Sequence, residues 1–286
     1  MHNQLPSNLD MDKLTSLVCS TNVAGIDAGA SLWKLFCAGK NAEMKLLPSG
    51  SIEHVQHLVA RWAPSAVGIT GAKACVVAAA LSSIQTLPVN EFLAWGLGAS
   101  ELARLGDFVL PQHHLLVSIG TGTFILEIKG NKATRISGST LGGGTLLGLS
   151  SLLGCSGSFS DLVALASRGE RSGVDLLVSD IIPSADNLAL TLNDTVASFA
   201  KLDSRDPADL AQALIWLIGE NIGILCNAIA RPLGIQTIVF GGGTLAENDI
   251  LHRVLRETLK DRGNDALFLP KGAFCGAVGA ALFVNV

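Results

Sequence analysis

Val23-Ala24-Gly25-Ile26-Asp27-Ala28-Gly29-Ala30-Ser31 is an apolar run that breaks on an aspartate, a glycine and a hydroxyl; Leu116-Val117-Ser118-Ile119-Gly120-Thr121-Gly122-Thr123 repeats the arrangement much later in the chain. Each reads as a strand entering a tight turn. Glycine has no Cβ, so backbone N–H groups in such turns can come close to an anion. Two more glycine clusters follow, Gly142-Gly143-Gly144 and, behind the apolar Ile238-Val239-Phe240, Gly241-Gly242-Gly243. A single turn of this kind is a weak signal. Several strand-borne copies point to a nucleotide clamped between two lobes.

The surroundings of the two turns repeat as well. After the first strand, Val23–Asp27, the pattern predicts strands over Trp33–Ala38 and Glu43–Leu47 and a helix over Ile52–Ala63, with Val55, Leu58, Val59 and Trp62 at helical spacing. A strand Ala66–Thr70, a helix Ala72–Leu81, a strand Ile84–Leu87 and, beyond Pro88, a helix Glu91–Leu105 follow. The second copy opens with strands Leu115–Ile119, Thr123–Ile128 and Ala133–Ser137, the last two joined at Gly130-Asn131. Helices are predicted over Thr145–Leu153, Ser160–Ala166, Asp206–Ala230, Ala246–Lys260 and Ala273–Phe283, and strands over Thr237–Phe240 and Ala266–Leu269. A duplicated βββαβα unit implies an α/β fold of two RNase H-like (actin-like ATPase) lobes. Each would hold a mixed five-stranded sheet, with the nucleotide in the cleft between them. A single Rossmann sheet is the alternative, but no G-x-G-x-x-G follows a strand and opens a helix. The expected division is a leader over 1–20, a first lobe over 21–112 and a second over 113–286, with the final helix packing back towards the first.

Composition narrows the function classes. The 286 residues carry a net charge of −4 and no basic block, which argues against nucleic acid or an anionic membrane surface as partner. The mean hydropathy of +0.45 invites a membrane reading. The longest apolar stretch, Ala208–Ile229, nevertheless carries Asp209, Gln212, Glu220, Asn221 and Asn227, and a spanning helix wants about 20 mostly apolar residues. A helix buried in protein is the reading adopted. The six cysteines form no C-x-x-C or C-x-H pair, so a zinc site is not expected and a reducing, cytoplasmic setting is. Met1–Ser16 lacks the order of a signal peptide. The histidines, His2, His54, His57, His113, His114 and His252, form no nucleophilic triad with a serine and an aspartate.

Arg135-Ile136-Ser137-Gly138-Ser139-Thr140-Leu141-Gly142-Gly143-Gly144-Thr145 resembles a segment of the type II (eukaryotic-like) pantothenate kinases. Gly169-Glu170-Arg171 with Asp175, Ala197-Ser198-Phe199 and Lys271-Gly272-Ala273-Phe274-Cys275-Gly276-Ala277-Val278-Gly279 resemble further elements of that family, and the likeness runs from about Val23 onward. The resemblance implies transfer of the γ-phosphoryl group of ATP, with Mg²⁺, to the primary hydroxyl of pantothenate. That would give 4'-phosphopantothenate, the first step of coenzyme A biosynthesis. It also implies a homodimer, and coenzyme A or acyl-CoA as an inhibitor.

Phosphoryl transfer is mainly positioning and charge neutralisation, and the resemblance implies which residues supply each part. Asp27 would hold Mg²⁺ beside the phosphates; an Asx turn capping the strand is the alternative, disfavoured because Asp27 lies in the turn where phosphates would sit. Gly29, Ser31 and Lys34 would reach the phosphates. Gly120, Thr121, Gly122 and Thr123 form the second phosphate turn, with Thr121 also near the acceptor, although a plain hairpin would use glycine too. Gly142, Gly143 and Gly144 would offer helix N-terminal N–H groups to a phosphate. Gly241, Gly242 and Gly243 resemble an adenosine motif. Glu91 is the expected general base, though an acidic residue also suits a first helical turn for dipole reasons. Arg135 would grip the pantothenate carboxylate with its planar fork.

Two departures from the family pattern stand out. Gly29-Ala30-Ser31 replaces its Gly-Gly-Thr, and Phe124 stands where the family carries a serine that contacts pantothenate. Phe124 would either reshape the acceptor pocket or pack in the core. The competing functions are an actin-fold kinase for a sugar or N-acetylhexosamine, and a weakly catalytic paralogue that binds ATP or coenzyme A.

Overall fold

Val23–Ala28 (β1) is buried along its whole length because both of its faces are covered. It pairs antiparallel with Leu32–Cys37 (β2), which pairs with Glu43–Pro48 (β3). On its other side it pairs parallel with Ala66–Thr70 (β4), which pairs with Thr86–Pro88 (β5). The computed structural model describes residues 22–39, 42–184 and 191–284, so the expected leader at 1–20 lies outside the described residues. Helices Ile52–Trp62 (α1) and Ala74–Ala80 (α2) bury Val55, Leu58, Val59 and Val77 against Ile26, Leu35 and Ile69 on one face of the sheet.

The second sheet repeats this topology. His113–Ile119 (β6), Thr123–Lys129 (β7) and Lys132–Ser139 (β8) form an antiparallel meander, and Thr237–Gly241 (β11) and Asp265–Phe268 (β12) add in parallel beyond β6. The orders β3-β2-β1-β4-β5 and β8-β7-β6-β11-β12 correspond strand for strand. Each lobe thus has a central first strand flanked by an antiparallel and a parallel neighbour. The carboxyl end of such a strand is where open α/β sheets receive ligands.

Between β8 and β11 lie helices Gly143–Leu152 (α4), Phe159–Ala166 (α5) and Pro207–Ala230 (α6), with a short ribbon of Leu176–Leu177 (β9) and Thr195–Ala197 (β10). The ribbon and the 3₁₀ turn at Arg171–Gly173 have no counterpart in the sequence reading, because two- and three-residue pieces show no period. By length and composition alone α6 could cross a membrane; here it fills the second core, where Ile215, Ile218, Ile222 and Cys226 are wholly buried. Asp249–Lys260 (α7) starts three residues later than its apolar pattern suggests. Asn248 caps it, accepting from Leu251 N at 3.1 Å, and a 3₁₀ turn over Gly243–Leu245 intervenes.

Glu91–Leu105 (α3) and Cys275–Val284 (α8) cross between the sheets. Their side chains Trp95, Leu102, Cys275 and Val278 form one cluster with Val23 and Phe36 of the first sheet and Leu116, Leu126 and Val239 of the second. The approach is close. A Cβ on Gly279 would lie 1.7 Å from the Ala94 carbonyl oxygen, and one on Gly25 would lie 1.9 Å from that of Ala277. Only glycine lets the backbones meet at that distance.

Candidate active site

Strand register builds the first half of the site. Asp27 stands level with Lys34 on β2 and with Thr70 on β4. Lys34 Nζ lies 3.7 Å from Asp27 Oδ2. The carboxylate is only 4% exposed. Burial pushes its pKa above the usual carboxylate range, and the Lys34 charge pulls it partly back. Both oxygens face glycines: a Cβ on Gly71 would be 2.8 Å from Oδ1, and one on Gly276 would be 2.9 Å from Oδ2.

Glu91 begins α3 immediately after the cap Asn90, whose Oδ1 accepts from Phe92 N at 3.0 Å and Leu93 N at 3.1 Å. Its carboxyl pKa is raised, first by burial and then by the Asp27 charge, with Lys34 opposing. Asp27, Lys34 and Glu91 therefore act as one electrostatic group, although they come from three elements.

The turns of the two lobes meet. Ser31 Oγ and Thr121 Oγ1 are 2.8 Å apart. Around Thr121 the other glycine clusters converge. Gly143 N donates to Gly120 O at 2.8 Å, Gly144 N to Thr121 O at 2.9 Å, and Thr244 Oγ1 to Gly120 O at 2.9 Å. Gly242 has φ +113°, and a Cβ there would be 2.3 Å from Ile119 O; its N–H donates to Gly272 O at 3.1 Å. Three of the expected phosphate donors are thus already engaged, the N–H groups of Gly143 and Gly144 and that of Gly120, which donates to Gly122 O at 2.8 Å. The N–H groups of Gly143 and Gly144 bind carbonyls of the second turn, so neither is the free helix-end donor anticipated from sequence. The Thr123 hydroxyl donates to Leu141 O at 2.8 Å. Gly142, Gly143, Gly241 and Gly242 are buried and pack the turns together, whereas Ser31, Thr121 and Gly144 are exposed and Gly29 half-buried.

Arg135 sits exposed on β8, beyond a register shift opposite Ile125/Leu126. Its Nη2 would be 3.1 Å from a Cβ on Gly138, the residue that faces Phe124 across the strand pair. Among the described residues it has neither a hydrogen bond nor an ion pair, so its fork is available to an anion. The Phe124 ring is half-buried and packs edge-on against Phe92 (5.7 Å between centroids) and Trp95 (5.2 Å). It packs against the core shared by the sheets, beside the helix that carries Glu91.

Two residues that sequence reasoning missed lie beside Asp27. Four buried side-chain atoms have no hydrogen-bond partner among the described residues; two of them are Thr70 Oγ1, from the residue level with Asp27 on β4, and Trp95 Nε1, which faces Gly276 as Asp27 Oδ2 does. An unmet buried donor costs about 1–3 kcal/mol. Thr70 could have been suspected because it ends a parallel strand at a glycine, and Trp95 because it is one helical turn past Glu91. Among the described residues no group of three or more His, Cys, Asp or Glu could hold a metal. A single buried carboxylate with unmet polar neighbours suits Mg²⁺, which keeps its waters and takes phosphate oxygens.

The segments around Arg171 form a separate buried knot. Arg171 donates to Thr195 Oγ1 at 2.7 Å and to Asp175 Oδ2 at 3.3 Å, and its guanidinium lies 3.7 Å from the Trp216 ring centroid. Asp175 in turn accepts from Phe199 N at 2.9 Å. This network places Phe199 along an apolar groove of about 750 Å³ between α4 and α6.

Comparison with known proteins identifies the family and the fold. The Fumble family model matches residues 104–283. A type II pantothenate kinase of Oceanobacillus iheyensis is 35% identical over 264 residues, covering 90% of this chain and 98% of that protein. One of Bacillus anthracis is 30% identical over 270 residues, covering 91% and 97%. Among solved structures, the activator of the 2-hydroxyisocaproyl-CoA dehydratase of Clostridium difficile with bound ADPNP superposes with a TM-score of 0.60 at 14% identity, covering 92% of this chain and 94% of that one. A ROK hexokinase of Thermus thermophilus gives 0.54 at 13% identity, covering 91% and 97%. At such identities the structural likeness concerns the fold, which is that of duplicated actin-like lobes.

Proposed function

The chain belongs to the type II pantothenate kinase (Fumble) family, and from that premise we propose that it phosphorylates pantothenate with ATP, giving 4'-phosphopantothenate, the first committed intermediate towards coenzyme A. The observation that carries this reading is the Ser31–Thr121 hydrogen bond, which joins the two phosphate turns beside Asp27 and Glu91.

In this reading Glu91 accepts the proton of the pantothenate hydroxyl while that oxygen bonds to the γ-phosphorus and the bond to the β,γ-bridging oxygen breaks, releasing ADP. Its raised proton affinity makes it an effective base once ionised. Asp27 would hold Mg²⁺ through water, and the ion would neutralise charge on the phosphate oxygens. Lys34 and the accessible edges of the two turns position the triphosphate. Arg135 pairs with the pantothenate carboxylate, fixing which end of the acceptor meets Glu91. Phe124 packs against Phe92 and Trp95 of the helix that carries Glu91.

A cytoplasmic homodimer completes the proposal. The five described cysteines are unpaired, which suits a reducing compartment. The groove lined by Leu149, Leu152, Leu153 and Leu210, with Leu152 83% exposed, supports an apolar contact between subunits.

A coupled assay of ADP release tests the assignment with pantothenate, with hexosamines and without acceptor. Turnover with pantothenate alone, lost in Glu91→Gln, is the expected result. Hexosamine-dependent turnover would favour a sugar kinase, and nucleotide binding without turnover would favour a regulatory paralogue.

A further inference from the structure

We propose that the indole N–H of Trp95 is a positioning donor for Asp27, holding that carboxylate through one water in the orientation that receives the hydrated metal of the nucleotide. This rests on the assignment of Asp27 made above. Trp95 is 3% exposed, yet its Nε1 has no partner among the described residues. Buried indole N–H groups ordinarily find one. A Cβ on Gly276 would be 3.1 Å from Nε1 and 2.9 Å from Asp27 Oδ2, so donor and acceptor look onto the same small space without bonding directly.

The packing of Trp95 does not require its nitrogen. The ring meets Phe124 edge-on, and the backbone carbonyl of Trp95 accepts from Cys275 Sγ at 3.2 Å. Phenylalanine could supply both contacts. What it could not supply is the donor. Trp95 is also four residues past Glu91, so both side chains lie on one helix face over the same end of the first sheet. Thr70 adds a second, independent sign that this spot is made for a polar guest. Its hydroxyl is fully buried, has no partner and stands level with Asp27 on the adjacent parallel strand. A water held here can accept from Trp95 and donate to Asp27, and Thr70 can serve it in either sense.

The test compares the full chain with its Trp95→Phe variant. Thermal unfolding is measured without ligand, with a non-hydrolysable ATP analogue plus Mg²⁺, and with the analogue plus a chelator; affinities are measured by calorimetry. The unliganded variant should still fold and melt cooperatively, somewhat below wild type because the smaller ring leaves space in the core. Its affinity for the analogue should fall about fivefold with Mg²⁺ and stay unchanged with the chelator, while KM for pantothenate stays constant. An unchanged Mg²⁺-dependent affinity overturns the proposal. A second measurement needs no Trp95 variant. The chain has four tryptophans, and the indole N–H resonance left after Trp33, Trp62 and Trp216 are identified by substitution belongs to Trp95. It should shift with analogue plus Mg²⁺ and not with analogue plus chelator; absence of that shift also overturns it. Asp27→Asn separates the two readings. If wild type and Asp27→Asn show the same Mg²⁺ dependence, the role of Asp27 fails and the proposal with it. If only Asp27→Asn loses that dependence, Trp95 alone is excluded.

Discussion

Ser31 Oγ and Thr121 Oγ1, ninety residues apart in the chain, lie 2.8 Å from each other and join the glycine-rich turns of the two lobes. Each turn continues a central strand, β1 or β6, whose neighbours are arranged alike. The hydrogen bond therefore bridges the carboxyl ends of the two central strands, where the proposed function puts the triphosphate.

A double-mutant cycle of Ser31→Ala and Thr121→Ala should show coupling of about 0.5–1 kcal/mol in urea unfolding without ligand. Saturation with ATP analogue should remove that coupling, as the hydroxyls turn to phosphate oxygens. Coupling that persists unchanged under saturation would mean the pair is purely structural.

Glu91→Gln should lower kcat by about 10²- to 10⁴-fold and leave ATP binding intact. It should also stabilise the protein at neutral and alkaline pH. The folded state raises the Glu91 pKa, so the folded carboxyl holds its proton more tightly than the unfolded one. The resulting penalty is absent below the unfolded value of about 4.3, grows as pH rises and is complete above the raised folded value. Urea midpoints at about pH 4 and pH 8 test the sign: the gain from Glu91→Gln must be larger at the higher pH.

Lys34→Met removes the cation that lowers the pKa of both Asp27 and Glu91. The acid limb of the kcat/KM profile should then move to higher pH, because Glu91 must still lose its proton to act. A limb that stays in place, or moves to lower pH, would separate Lys34 from the catalytic group.

Arg135→Ala should raise KM for pantothenate about 10- to 100-fold, the effect of losing a charged hydrogen bond, with a much smaller change for ATP. Arg135→Lys should recover only part of it, since an ammonium cannot form the bidentate fork. Equal effects on both substrates would argue against a carboxylate grip.

The two-lobe fold was legible because its strands are short apolar runs ended by glycine and a hydroxyl, and because the Val23–Ser31 pattern recurs at Leu116–Thr123. The start of α3 was legible from Pro88 and from Glu91 in the first turn. Other features depend on partners distant in sequence. Nothing local shows that the carbonyls of Gly120 and Thr121 occupy the N–H groups of Gly143 and Gly144. The unmet nitrogen of Trp95 becomes visible only when α8 brings Gly276 against Asp27. Phe124 looked ambiguous because its role is set by Phe92 and Trp95, which belong to the other repeat.

The place of α8 has a consequence for biosynthesis. The helix that covers Gly25 and Gly68 of the first sheet is translated after every other described element. On the ribosome the amino-terminal half must wait with part of one apolar face open, because α8 is not yet made. The earliest strands are thus among the last to be sealed.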